Sequence, residues 1–246
     1  MSEENIKSAL QYAVDLAEGQ KVIYEQQRGK TFYDASKASL KELYPIPYAN
    51  SLEVNSLTGL VDYLKADADF TYKPMILHVE SPTLVKVLSP LNEDRKRECL
   101  VYAKAILDDF PFSRFMDSES FIINIMSLFD RTEDAEAIRA CASSLRIEGG
   151  ADIKDDGTSQ VVAVKQGATV QQAKVPSPAI LRPYRTFLEV EQPESPFIFR
   201  VNDRADCALF DADGGLWKYE AMNNIKEYLT TELQEEIEND LIKIIA

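Results

Sequence analysis

The chain has 246 residues, with 27 Lys and Arg against 41 Asp and Glu and a formal net charge of −14 at neutral pH. Hydrophobic residues make up 45% and charged residues 28%. These are the proportions of a globular protein long enough to bury a full core, not of a disordered, collagenous or membrane chain. The negative charge also opposes non-specific attachment to nucleic acid, whose phosphates are captured by Lys and Arg.

In chain order, residues 4–17 carry Ile6, Ala9, Leu10, Ala13, Val14 and Ala17 at helical spacing, with Gly19 as the stop. Residues 22–27 and 30–33 flank Arg28 and Gly29 and predict a hairpin. Pro45 and Pro47 make 43–50 an extended joint. A short strand at 52–54 precedes Ser56, which caps a helix over 57–65 with Leu57, Leu60, Val61 and Leu64 inward. Strands follow at 75–79 and 84–88, turned at Ser81 and Pro82, then a charged loop at 92–98 and a third strand over 99–106.

Asp117 or Ser118 caps a helix over 118–129, with Phe121, Ile122, Ile125, Met126 and Phe129 inward. Thr132, followed by Glu133 and Asp134, opens a second helix ending near Ser144; acids in the first turn suit the helix dipole. From there the period becomes two. Segments 144–153 and 158–165 flank a hairpin turn at Asp155, Asp156 and Gly157. Segments 185–191, 197–201 and 207–210 predict an antiparallel meander, and 211–215 a turn. The C-terminal stretch repeats Met222, Ile225, Leu229, Leu233, Ile237 and Leu241, the seam of a long amphipathic helix with a short strand at 242–245. The fold class is α+β, mostly antiparallel sheet with several amphipathic helices and a long C-terminal helix. Its regions are 1–45, 50–215 and a helical arm 216–246.

Composition excludes further classes. Nine glycines cannot be arranged into G-x-G-x-x-G or G-x-x-x-x-G-K-[ST], so the backbone cradle of a dinucleotide or P-loop enzyme is missing. The single histidine, His78, excludes a two-histidine zinc site, and its apolar neighbours give it a structural place in a strand. No G-x-S-x-G elbow accompanies any serine. Cys99, Cys141 and Cys207 are isolated, as in a reducing compartment where Cys serves as a small apolar residue. No basic start leads into an apolar run, and no stretch approaches the roughly 18 apolar residues of a membrane span. The expectation is a cytoplasmic protein with no cofactor and no membrane contact.

Three constellations carry candidate chemistry. Asp211, Asp213 and Gly214, with Asp206 upstream and Glu220 downstream, resemble a calcium loop, and are the carboxylates a metal-dependent nuclease or nucleotide hydrolase would use. They lack the third alternate acid and the correctly placed glutamate, and Asp and Gly are ordinary turn formers. Arg182, Tyr184 and Arg185 interleave cations with aromatics, as single-stranded DNA binding requires. Glu189 and Glu191 follow directly and cancel part of that field. The seam of Met222, Ile225, Leu229, Leu233, Ile237 and Leu241 either packs on the chain's own sheet or joins two copies.

Several stretches together resemble a known family: 57–64 (LTGLVDYL), 116–121 (MDSESF), 174–178 (KVPSP), 184–195 (YRTFLEVEQPES) and 212–217 (ADGGLW). Their succession is similar to the phage and prophage proteins of the YfdQ type, with the nearest likeness to relatives in prophages of Gram-positive bacteria, over about residues 50–230. The resemblance implies a phage-encoded protein of the bacterial cytoplasm, made during infection or prophage induction. It carries no catalytic residue with it. The reading that follows is a non-enzymatic accessory protein that self-associates and binds a host or defence factor, or a partner in phage DNA metabolism.

Overall fold

A computed structural model describes residues 3–18, 22–25, 30–33, 49–66, 74–93, 95–148, 152–155, 160–166, 169–174 and 176–246. The chain divides into two units, Met1–Tyr48 and Ala49–Ala246. In the first, helix α1 (Glu3–Glu18) precedes a hairpin of β1 (Val22–Glu25) and β2 (Lys30–Tyr33), as the periodicity predicts. Ile6, Leu10, Tyr12 and Val14 of α1 are all exposed. The hairpin turns at 26–29 and 156–159, Gly19, and 43–48 of the joint lie outside the described residues.

The second unit holds two hydrophobic cores. One lies under a five-stranded mixed sheet of order β13-β4-β5-β6-β3. Its strands are β3 (Leu52–Val54), β4 (Met75–Ser81), β5 (Leu84–Leu88), β6 (Cys99–Lys104) and β13 (Ile242–Ile245). The central three are antiparallel, while β13 and β3 run parallel to β4 and β6 at the two edges. Alternation does the sorting: Met75, Leu77, Val79, Val85, Val87, Val101 and Ala103 are buried, while Ile76, His78, Lys86 and Tyr102 lie between them on the wetter face. Helix α2 (Leu57–Ala66) covers the buried face with Leu57, Leu60, Val61 and Leu64, the expected stripe. Ser56 caps it through Oγ, which accepts from Gly59 N at 3.0 Å.

The second core joins α3 (Ser118–Leu128) and α4 (Glu133–Glu148) to an antiparallel sheet of β10 (Ala179–Leu181), β11 (Ser195–Val201) and β12 (Cys207–Asp211). Both helix caps are the expected ones: Asp117 accepts from Ser120 N at 2.9 Å, and Thr132 Oγ1 from Ala135 N at 3.2 Å. A further antiparallel sheet contains β7 (Asp152–Asp155), β8 (Gln160–Gln166) and β9 (Thr169–Lys174).

The α+β class and the mainly antiparallel pairing hold, but four expectations are corrected. Residues 144–148 are not strand: α4 runs on to Glu148, and β7 starts only at Asp152. Residues 185–191 are not strand either, for a reason given below. Met126 does not face inward. The long C-terminal helix is broken: α5 (Trp217–Glu232) ends at Leu233, a short α6 (Gln234–Glu238) follows, and Asp240 at φ 55° turns the chain into β13. Leu233 is fully buried at the break, and the chain must reverse there to lay Ile242 beside Met75. Glu232, Glu235 and Glu236 sit three and four residues apart across this point, where like charges weaken a continuous helix.

Candidate functional site

The predicted seam is interior. Ile225, Leu229 and Leu233 are fully buried, and Met222, Ile237 and Leu241 pack against the same aliphatic core as α2 and the five-stranded sheet. The stripe therefore covers the chain's own sheet, with Met222, Ile237 and Leu241 partly buried. The C-terminal segment is also no separate arm, since β13 completes the sheet edge beside β4.

The other two constellations meet in one place. Segment 185–191 has strand-like alternation but no ladder, because one side chain replaces the missing strand. Gln192 Oε1 accepts from Arg185 N at 3.0 Å and Thr186 N at 3.3 Å, and its Nε2 donates to Phe187 O at 3.0 Å. So folded, the segment clasps the surrounding elements. Thr186 Oγ1 donates to Pro82 O in the β4–β5 turn, and Phe187 enters the aliphatic core. Glu189 Oε1 accepts from Leu57 N at 2.8 Å and Thr58 N at 3.3 Å, an acid at the positive end of α2. Asn224 Nδ2 of α5 donates to Glu191 O at 2.8 Å.

Arg185 is the centre of the clasp. Its side chain is 10% exposed, and its guanidinium carbon lies 4.1 Å from the centroid of the Trp217 ring. Nη1 donates to Asp211 Oδ2 at 3.2 Å, and Nη2 to Ser195 Oγ at 2.5 Å. Ser195 Oγ in turn donates to Asp213 Oδ2 at 2.8 Å. Asp213 also accepts from Gly215 N at 2.6 Å and Trp217 N at 3.2 Å, which caps α5 from the turn. Gly214 and Gly215 make this turn at φ 65° and 89°. Burial lowers the Arg185 guanidinium below its ordinary pKa, against the pull of Asp211 and Asp213. Burial likewise raises Asp211, and for Asp213 the same effect is outweighed by its hydrogen bonds from Gly215, Ser195 and Trp217, so that carboxyl is lowered. Among the described residues, Nε of Arg185 is buried without a hydrogen-bond partner.

The four proposed metal ligands do not converge on one point. Asp211 and Asp213 share the Arg185 network, where the guanidinium and backbone N–H groups take their oxygens. Asp206 instead accepts from Asn202 Nδ2 at 3.0 Å, and Glu220 is exposed in the first turn of α5. Among the described residues no group of three or more His, Cys, Asp and Glu is arranged to hold an ion. The cations of the nucleic-acid reading are also engaged. Arg182 pairs with Glu194 at 2.7 Å, Glu191 at 3.3 Å and Asp130 at 4.0 Å, and the Glu194 hydrogen bond raises its pKa further. Tyr184 is half-buried and donates its N–H to Leu128 O at 2.9 Å.

A different site appears at the surface of the aromatic core. Helices α3 and α4 enclose a cleft of about 240 Å³ with Ile125, Phe129 and Ala135 at its floor and Met126, Arg131 and Arg139 around its mouth. Met126 is 62% exposed, and Ile123 on the same helix is 59% exposed. Arg139 is held by Glu136 at 2.5 Å, whereas the Arg131 guanidinium has no hydrogen-bond or ion-pair partner among the described residues. Sequence reading missed this cleft, although a signal existed. Helix α3 and Phe129 offer seven large apolar residues in nine positions, more than one buried stripe accommodates, so some must face outward.

Compared with family models, curated proteins and solved structures, the chain matches none. No described helix is long and apolar enough to cross a membrane. Two of the stretches behind the YfdQ resemblance, 184–195 and 212–217, meet where Arg185 packs on Trp217. They describe how this fold is closed, and they contain no surface-exposed reactive centre.

Proposed function

We propose that this protein works by binding another protein through the α3–α4 face, as a non-enzymatic accessory factor encoded by a phage and acting in the bacterial cytoplasm. The observation that carries the reading is the cleft: an apolar floor of Ile125, Phe129 and Ala135, with exposed Met126 and an unengaged guanidinium at its mouth and Ile123 exposed one turn away on α3. Exposed apolar residues gathered around a concavity mark interaction surfaces, and Met is favoured there because its flexible thioether adapts to a partner. The phage setting is supported by the resemblance of the quoted stretches, and a host factor or a phage DNA-handling protein is the class of partner that setting suggests. Self-association is a subordinate part of the proposal, and sedimentation at micromolar concentration tests it: a strict monomer removes it.

The main reading is tested by placing a photo-crosslinking residue at Ile123 in bacteria carrying the encoding phage genome. One dominant adduct, identified by mass spectrometry and abolished by Met126→Glu, is expected. No adduct, or one indifferent to Met126→Glu, refutes the proposal.

A further inference from the structure

We infer that the α3–α4 cleft receives a partner segment presenting one aromatic or branched aliphatic side chain beside a carboxylate. This rests on the binding reading above and adds the chemistry of the partner.

Volume decides the size of the guest. Drug-sized ligands and cofactors occupy pockets of about 300–1,000 Å³, and this cleft, at about 240 Å³, falls short of that range. It suits a single large apolar side chain whose neighbours lie on the exposed shoulder of Ile123 and Met126. The floor is formed by Phe129 and Ile125, both nearly fully buried in the aromatic core and so held in place.

Charge decides what stands beside that side chain. Two acids border the cleft, and both are engaged. Glu136 is bidentate with Arg139, through Nε at 2.9 Å and Nη2 at 2.5 Å. Asp130 accepts from Arg131 N at 2.9 Å and faces Arg182 at 4.0 Å. Arg131 is the cation left over. A protein of net charge −14 repels acidic partners in general, so an acid is retained only where a guanidinium is uncovered, and here it would dock beside the apolar anchor. Arginine beside an apolar contact is also favoured among interface hot spots.

The test uses a random peptide-display library panned on the intact chain. Enriched peptides should share a Phe, Trp or Leu flanked by Asp or Glu. A synthetic peptide of that consensus should bind saturably at one to one by fluorescence anisotropy. Arg131→Glu should weaken it tenfold or more, and a peptide with Lys in place of the acid should regain affinity for that variant. Met126→Glu, at an exposed position that folding does not require, should weaken the acidic peptide likewise. Peptides without the acid that are still blocked by Met126→Glu would overturn this inference and leave the binding reading standing. Peptides indifferent to both variants would overturn both. A wild-type dimer dissolved by Met126→Glu would assign the cleft to a second copy and overturn the inference as well.

Discussion

The two cores of the larger unit are made of different material. The core beneath the five-stranded sheet is aliphatic, with Leu, Val, Ile and Met from α2, α5 and the strands; among the described residues its one fully buried ring is Phe187, brought in by the clasp, with Tyr63 and Tyr228 packed at its edge. The core between α3, α4 and the three-stranded sheet is aromatic: Phe110, Phe121, Phe129, Phe197 and Phe199 are buried in it. Phe110 meets Phe129 edge-on at 5.0 Å, and Phe112 stacks on Phe197 at 5.3 Å. Phe110 and Phe112 stand outside helix and strand. An aliphatic core of regular elements follows their periodicity, whereas an aromatic core is closed by rings that reach in from loops. Segment 182–195 gives Phe187 to the aliphatic core and reaches the three-stranded sheet of the aromatic one through Arg185 and Ser195.

The comparison is broken most severely from inside. Phe121→Ala is expected to cost about 3–5 kcal/mol, and Leu60→Ala in the other core about 2–5 kcal/mol. Urea unfolding should show one transition for each variant if the clasp couples the cores; separate transitions would show that it does not. Arg185→Met tests the clasp itself. It should cost about 2–3 kcal/mol, below the 3–5 of a fully buried pair, because the Asp211 side chain is 36% exposed. Combined with Asp211→Asn the loss should be less than additive, and strict additivity in a denaturation cycle would deny the coupling.

High pH should act on the aromatic core. Cys141 and Cys207 both lie in it, and burial pushes their thiols up to about 11 and about 12. The unfolded chain ionises these thiols near the ordinary value of 9.0, and the folded chain does not. Stability is therefore intact below pH 9 and falls above it, by about 1.4 kcal/mol per pH unit for each thiol, until the folded values are reached. Denaturation midpoints at pH 8 and 10.5 measure this, and Cys141→Ala should flatten the fall; an unchanged slope would contradict the assignment. Glu189→Gln, which discharges the cap on α2, should cost about 1 kcal/mol, read by urea titration. Met126→Glu should change stability by less than about 0.5 kcal/mol, and a larger loss would mean that this face is already covered.

Much of the fold was legible because burial and period coincide. The alternation of β4 and β5, the stripe of α2 and the caps Ser56, Asp117 and Thr132 are local, and each can be read within one turn or one strand. The misreadings occurred where a local pattern had more than one use. The alternating sequence at 185–191 is not matched by alternating burial, since Thr186 and Phe187 are both buried and Leu188 is exposed, and Gln192 satisfies the backbone in place of a strand. The seam from Met222 to Leu241 lines the chain's own sheet, one of its two expected uses. Of the candidate site, Ile125, Met126 and Phe129 were singled out as inward residues, which holds for Ile125 and Phe129 but not for Met126; Arg131 and Arg139 gave no sign, because a cation without a partner looks the same in sequence as one within an ion pair.

Composition and periodicity were enough to establish an α+β chain, the helices that face its sheets, and the poverty of glycine and histidine that excludes phosphate loops and two-histidine zinc sites. Spacing along a chain encodes which face of an element is apolar, and that information is local. Which acid meets Arg185, where α5 must break so that β13 can lie beside β4, and which apolar residues of α3 are left facing water all depend on segments far apart in the chain. Those matters are settled only when the two cores close and compete for the same side chains.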